Sequence, residues 1–299
     1  MSLFDKLVVA ALPIIPKYVV GKVARPYVAG ETLADGLRVV KDLNQKHIMA
    51  TMDVLGEFCH DRQEAEASVQ EYLELIEGIA TRKLDANISI KLTALGLDID
   101  KQFVRENVNR IMDAATRHNM FVRIDMEDSP RTDETIKVYE EVRGKYKCGL
   151  VVQAYLKRTS ADVKQLTDAA LGNFRLCKGI YVEPAAIAYK EKQEIRDNFM
   201  ALLEQMFDAK AYVGIATHDD FLTDAAEELI KKRKMTPDQY EFQMLLGVRP
   251  ALRDALVARG HKLRVYVPFG KSWYGYCTRR LKENPAMAGY VAKAMIGLS

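Results

Sequence analysis

The sequence predicts a (β/α)8 barrel, and three observations lead there. Eight short apolar or β-branched runs recur along the 299 residues. Each is followed by a stretch with helical periodicity, and the repeat of about 25–40 residues is the length of a βα unit. The first such unit has no glycine-rich turn, because Gly56 and Gly96 stand alone. An open doubly wound sheet, the structural alternative, usually carries one. Eight units in about 250 residues are what a closed barrel needs.

In chain order the strand runs are 48–54, 86–92, 120–126, 150–155, 174–180, 212–217, 240–245 and 263–267. The stretches between them, such as 64–84, 104–118 and 186–210, are rich in Glu, Lys and Ala and carry helical periodicity. Residues 1–45 precede the first strand and read as N-terminal cap helices, leaving 46–299 as the barrel domain. At the far end, Ser272 is a helix N-cap and Pro285 a stop. On that final helix Tyr276, Arg279, Arg280 and Glu283 share one face. A stripe at this spacing is usually apolar and turned to the core. Here it holds two guanidiniums, a phenol and a carboxylate. Adjacent arginines repel unless an anion lies between them, and paired Arg grips a carboxylate or phosphate well. A solvated face with a Glu–Arg pair is the other reading of the same spacing.

Composition narrows the function. Net charge is +3, from 44 basic and 41 acidic residues, which is no nucleic-acid footprint. The one basic tract, Lys231 to Lys234, lies late in a predicted surface helix, where cations suit the dipole. Cys59, Cys148, Cys177 and Cys277 form no CxxC pair, which argues against a zinc site and a disulfide framework and fits a reducing compartment. The five histidines show no HxH or HExxH spacing, so no metal is expected, and no nucleophile elbow occurs. The apolar run 7–15 is broken by Pro13 and is too short to span a bilayer. It reads as a helix packed on the body, with a loose membrane-surface contact as the minor alternative.

Polar residues collect where the barrel's active site would be, at the C-terminal strand ends. They are Asp53 with Gly56-Glu57, Ser89 with Lys91, Arg123 with Asp125, Gln153, Arg175 with Cys177 and Lys178, Thr217 with His218, and Tyr266. Alternation puts Ser89 and Lys91 on one face, as it does Arg123 and Asp125. Any single one could be a structural ion pair across the barrel. Seven strand ends doing this together point to a site.

The segments Ser89-Ile90-Lys91-Leu92-Thr93, Ile124-Asp125-Met126-Glu127-Asp128, Gln153-Ala154-Tyr155, Arg175-Leu176-Cys177-Lys178-Gly179, Ala216-Thr217-His218, Glu241-Phe242-Gln243 and Tyr276-xx-Arg279-Arg280-xx-Glu283-Asn284 come in this order. Together they resemble the FAD-dependent proline dehydrogenase family over roughly residues 45–285. The resemblance implies a monofunctional enzyme of bacterial type. Its final helix would lie over the barrel mouth. It would oxidise L-proline to Δ1-pyrroline-5-carboxylate by hydride transfer to FAD, with a membrane quinone as electron acceptor. A cytoplasmic location follows, with peripheral contact to the inner face of the membrane.

The resemblance also implies roles. Arg279 and Arg280 would clamp the substrate carboxylate, with Lys91 as a third cation. Tyr266 and Tyr276 would wall the ring, and Leu245 would close the pocket. Arg175 would lie at the flavin N5 edge, and Asp125 would hold Lys91 and the network around it. Met126, Gln153, Lys178, Gly179, Ile180, Thr217 and His218 would hold FAD. Glu283 would touch the flavin or hold Arg280. Glu57 would swing onto Arg279 as a lid. Two positions depart from the family pattern: Ile180 stands where Ala is common, and Cys177 where an aliphatic residue is common. Three rival readings are a hydroxyproline dehydrogenase, a Schiff-base aldolase barrel using Lys91 or Lys178, and a barrel kept only as a scaffold.

Overall fold

The computed structural model describes residues 25–277. Eight parallel strands close into a barrel in sequence order. They are β1 (Met49–Val54), β2 (Ala86–Ile90), β3 (Val122–Ile124), β4 (Cys148–Gln153), β5 (Asn173–Cys177), β6 (Tyr212–Ala216), β7 (Tyr240–Leu245) and β8 (Leu263–Phe269). Helix α1 (Leu33–Asn44) precedes β1. Then α2 (Arg62–Thr81), α3 (Lys101–Arg117), α4 (Thr132–Arg143), α5 (Thr159–Asp168), α6 (Lys192–Asp208), α7 (Asp220–Arg233) and α8 (Pro250–Ala258) alternate with the strands.

Local chemistry sets these helix starts. Thr32 and Asp35 form a reciprocal capping box at α1. The Asp61 carboxylate accepts from the Glu64 N–H at 2.9 Å, and Asp100 from the Phe103 N–H at 2.7 Å. Lys231, Lys232 and Arg233 fill the last turn of α7, and Lys234 leaves it in the left-handed region, as the basic tract predicts.

Alternation along the strands divides the barrel into two surfaces. Met52, Ile88, Ile90, Ile124, Leu150, Phe174, Ile215, Phe242 and Val265 are buried in the apolar core. The residues between them point inward, and on several strands these are charged or polar. Barrel interiors are usually packed with branched apolar side chains. A polar interior must be paired to be tolerated.

Helix α1 packs on the outside of β1 and β8, burying Leu37, Val40 and Leu43. It therefore covers the face that a helix following β8 would otherwise cover. After β8 the chain turns helical at 273–277, one residue past Ser272, with Tyr276 and Cys277 buried. Arg279, Arg280 and Glu283, the remainder of the final helix and the apolar run 7–15 lie outside the described residues.

Three strands are at least two residues shorter than their apolar runs predict, and β2 stops at Ile90. The run 120–126 yields only Val122–Ile124, and just after it the buried Asp125 and Glu127 side chains bond to Arg175 and Thr93. The run 174–180 ends at Cys177, because Gly179 takes a φ of +108°, which no strand accommodates.

Candidate active site

The site begins with a lysine that the fold buries. Lys91 follows β2 directly, and its Nζ donates to both Asp53 oxygens at 2.8 Å and to the Tyr266 hydroxyl at 3.1 Å. Asp125 Oδ2 is 3.6 Å away. β1 pairs with both β2 and β8, which is why Asp53, Lys91 and Tyr266 meet. The Tyr72 hydroxyl on α2 adds a weak donor to Asp53 at 3.4 Å. Burial pulls the Lys91 ammonium down, but Asp53, Tyr266 and Asp125 together outweigh it and hold Lys91 well above the usual lysine range. Burial, with the Asp125 carboxylate nearby, pushes the Asp53 carboxyl up against the pull of Lys91. The pair nevertheless stays ionised, since a neutral acid would leave Lys91 as an unpaired buried cation.

Tyr266 links this pair to the next. Burial raises its phenol well above 10, so it remains a donor, and it reaches Asp125 Oδ2 at 3.3 Å. Asp125 Oδ1 accepts from Arg175 Nη1 at 2.8 Å and from the Ser89 hydroxyl at 3.0 Å. Arg175 Nη2 reaches the same hydroxyl at 3.1 Å, and Nε donates to Gln243 Oε1 at 2.5 Å. The guanidinium is thus held on three sides, by β2, β3 and β7. Below it, Gln243 Nε2 donates to Glu241 Oε1 at 2.5 Å. Glu241 also accepts from Arg264 Nε at 2.7 Å, Arg264 Nη2 at 3.0 Å and the Tyr212 hydroxyl at 2.9 Å. One chain of polar contacts therefore runs from the mouth to the barrel floor.

Beside this network lies a second group of predicted residues. Gln153 ends β4 and donates to the Glu127 carbonyl at 3.0 Å, and Met126 is buried next to it in the chain. The Glu127 carboxyl accepts from the Thr93 N–H at 3.0 Å and from the Thr93 hydroxyl. Its burial pushes it up to about 7. At Gly179 a Cβ would lie 2.1 Å from the Tyr155 ring, so only glycine fits there. Ile180 on the same loop is 38% exposed.

An open cleft of about 430 Å³ lies over the ends of β5 and β6, with Thr217 and His218 in its wall. The Leu245 N–H donates to His218 Nε2 at 2.8 Å, which leaves the ring proton on Nδ1. Lys178, Lys192, Arg196 and Arg249 face the same cleft with Asp219 and Asp220. Asp219 accepts from Arg196 at 2.6 and 3.0 Å and from Lys178 at 3.3 Å. Burial pushes Asp219 up, but these cations prevail and hold it at about 2. Arg249 pairs with Asp220 at 2.7 Å.

The structure thus brings Lys91, Asp125, Arg175 and Tyr266 into one network, and Lys178, Thr217 and His218 into one cleft. Tyr276 is buried in the first helical turn after β8, while Arg279, Arg280 and Glu283 are outside the described residues. Asp53, not Asp125, is the main partner of Lys91. Its signal was available, because Asp53 lies near the end of β1, two residues after Thr51 on the inward face. Gln243 and Glu241 had a motif but no role. Arg196 and Arg249 gave no signal, since a cation on a helical stretch or in a loop is ordinarily solvated.

Comparison with known proteins accords with this geometry. The proline dehydrogenase family model matches residues 36–293. Proline dehydrogenase 1 of Bacillus subtilis subsp. natto is 36% identical over 91% of this chain and 90% of its own length. Proline dehydrogenase of Deinococcus radiodurans is 33% identical over 91% of this chain and 90% of its own. Among solved structures, proline utilization A (PutA) from Bdellovibrio bacteriovorus, inactivated by N-propargylglycine, superposes with a TM-score of 0.85 at 24% identity. That match covers 95% of this chain but only 36% of the longer PutA chain, and it bears on the fold alone. With a family model spanning most of its length and relatives above 30% identity over nearly all of theirs, the chain belongs to the proline dehydrogenase family.

Proposed function

We propose that the protein oxidises L-proline to Δ1-pyrroline-5-carboxylate as a FAD-dependent proline dehydrogenase. The observation that carries this is the buried network Asp53–Lys91–Tyr266–Asp125–Ser89–Arg175 at the strand ends, in a chain of this family. FAD, held by the residues named below, would supply the acceptor for a hydride from the substrate's C5 and a route for the electrons to a membrane quinone.

The residues present fit such a cofactor. Four cationic side chains in the cleft face two carboxylates, leaving two positive charges for the two negative charges of a diphosphate. Lys178, Thr217 and His218 would hold that part. Met126, Gln153, Gly179 and Ile180 would line the ring system.

The chain's own groups do the positioning. Arg175, fixed on three sides, presents a guanidinium whose orientation needs no rearrangement as charge develops. Asp125 holds Arg175 through one carboxylate oxygen and Tyr266 through the other, and so positions both. Lys91 spends its donors on Asp53 and Tyr266, so it acts on the substrate carboxylate mainly as a nearby charge. Arg279 and Arg280 would supply the bidentate grip, with Glu283 steadying Arg280. Leu245, Tyr266 and Tyr276 would wall the ring. A Schiff-base role for Lys91 fits poorly, because the attacking amine must be neutral and Asp53 holds it charged. No helix among the described residues is long and apolar enough to cross a membrane, so contact with a membrane quinone would be peripheral.

An absorbance spectrum of the purified protein with and without L-proline tests the proposal. Bleaching of a flavin band on adding proline is expected. An unchanged spectrum in flavin-loaded protein would overturn it.

A further inference from the structure

The barrel floor holds a buried ion pair, Glu241 with Arg264, that the chemistry above does not use. We propose that Glu241 is a positioning residue: by fixing which way the Gln243 amide points, it fixes the Arg175 guanidinium. The inference rests on the reading that Arg175 acts at the reacting centre.

The case is one of hydrogen-bond polarity. Arg175 Nε is only a donor, so Gln243 must turn its oxygen to it, and Oε1 lies there at 2.5 Å. The amide nitrogen must then face an acceptor, and Glu241 Oε1 lies there at 2.5 Å. A flipped amide would set NH2 against N–H on one side and carbonyl against carboxylate on the other. Glu241 makes that flip repulsive at both ends.

Glu241 is itself held in place. Arg264 Nε meets its Oε1, and Arg264 Nη2 and the Tyr212 hydroxyl meet its Oε2. Burial pushes the carboxyl up, but Arg264 beside it prevails and keeps it below its ordinary range. It therefore stays an acceptor at neutral pH. Gly214 on β6 leaves the space this arrangement needs, since a Cβ there would lie 2.4 Å from Gln243 Nε2. A buried ion pair is often no more stabilising than apolar packing. An apolar pair, however, could not give Gln243 its acceptor.

The test uses the flavin-loaded enzyme with Glu241→Gln, Gln243→Met, the double variant and Arg175→Lys. The readouts are kcat, the KM for L-proline and the midpoint potential of the bound flavin. Each single floor variant is expected to lower kcat about tenfold with KM changed less than about twofold, as misaligned catalytic groups do. The potential should fall with kcat. The double variant should be no worse than the worse single one, because both act through one contact. A lower Tm with unchanged kcat and potential would reduce Glu241 to a structural ion pair, and additive losses would overturn the relay. Should Glu241→Gln fail to fold around an unpaired Arg264, Gln243→Met decides alone, since it leaves the ion pair intact. Arg175→Lys separates the two readings. If it leaves kcat and potential at their original values, the role of Arg175 itself fails; if it alone changes them, only the relay fails.

Discussion

The mouth and the floor of this barrel are both polar, but they are tied differently. On the floor, Glu241 has Arg264, Tyr212 and Gln243 on its two oxygens, all within 3.0 Å. At the mouth, Asp125 Oδ2 meets Tyr266 at 3.3 Å and Lys91 at 3.6 Å, which are long contacts. Glu241 is held tightly on both oxygens, whereas Asp125 is held tightly on Oδ1 and loosely on Oδ2. The long contacts leave the Oδ2 side of Asp125 the easier one to rearrange, while Oδ1 and Glu241 are fixed by short ones. The difference also appears in the carboxyl groups. Glu241 on the floor is held below its ordinary range by Arg264, whereas Glu127 at the mouth is pushed up to about 7 by burial.

The strongest way to break the comparison is Glu241→Ala. It leaves Arg264 buried without its carboxylate, and loss of about 3–5 kcal/mol of unfolding free energy is expected in denaturant titration. A loss below about 1 kcal/mol would mean that the contacts of Glu241 are worth no more than a surface pair.

Glu127 sharpens the contrast through pH. Its folded pKa lies above the ordinary glutamate value of about 4.3, so its contribution to stability is fully present below that value. The contribution is lost as pH rises toward about 7. Glu241 behaves oppositely, since its lowered pKa gives stability above the ordinary value that is lost only in acid. Glu127→Gln should therefore remove up to about 3 kcal/mol of pH-dependent stability between pH 5 and 8. The slope of Tm against pH in that range measures it, and an unchanged slope would assign the titration to another group.

The smallest effect marks the baseline outside the barrel. Lys164 and Asp168 form an exposed i,i+4 pair on α5, with 70% and 64% of their side chains exposed. Lys164→Ala should cost less than about 0.5 kcal/mol in the same titration. A larger loss would place the surface pairs on the same footing as the buried ones.

Much of the candidate site was legible because alternation is legible. Ser89 with Lys91 and Arg123 with Asp125 share a face on spacing alone, and the fold places all four inside the barrel. Arg123, however, belongs to the floor: it donates to the Asn173 backbone and side chain, away from the mouth. Face is a property of one strand, but depth depends on how the strands are staggered. The ends of β3 and β5 were overrun for a related reason. Apolar residues after the ladder, such as Met126 and Ile180, look like strand in sequence, yet Gly179 had already turned the chain.

The chain alone determined the eightfold strand–helix repeat, the division of each strand into apolar and polar faces, and the helix start after Ser272. These rest on interactions between residues a few positions apart, which spacing encodes. Only the tertiary structure decided the partners: Asp53 for Lys91, Gln243 for Arg175, and Arg196 for Asp219. Arg175 and Gln243 are 68 residues apart in sequence and 2.5 Å apart in space. Hydrogen bonds and buried charge pairs act over a few ångströms, so their partners are set by strand order, stagger and closure, and none of these is written in local spacing.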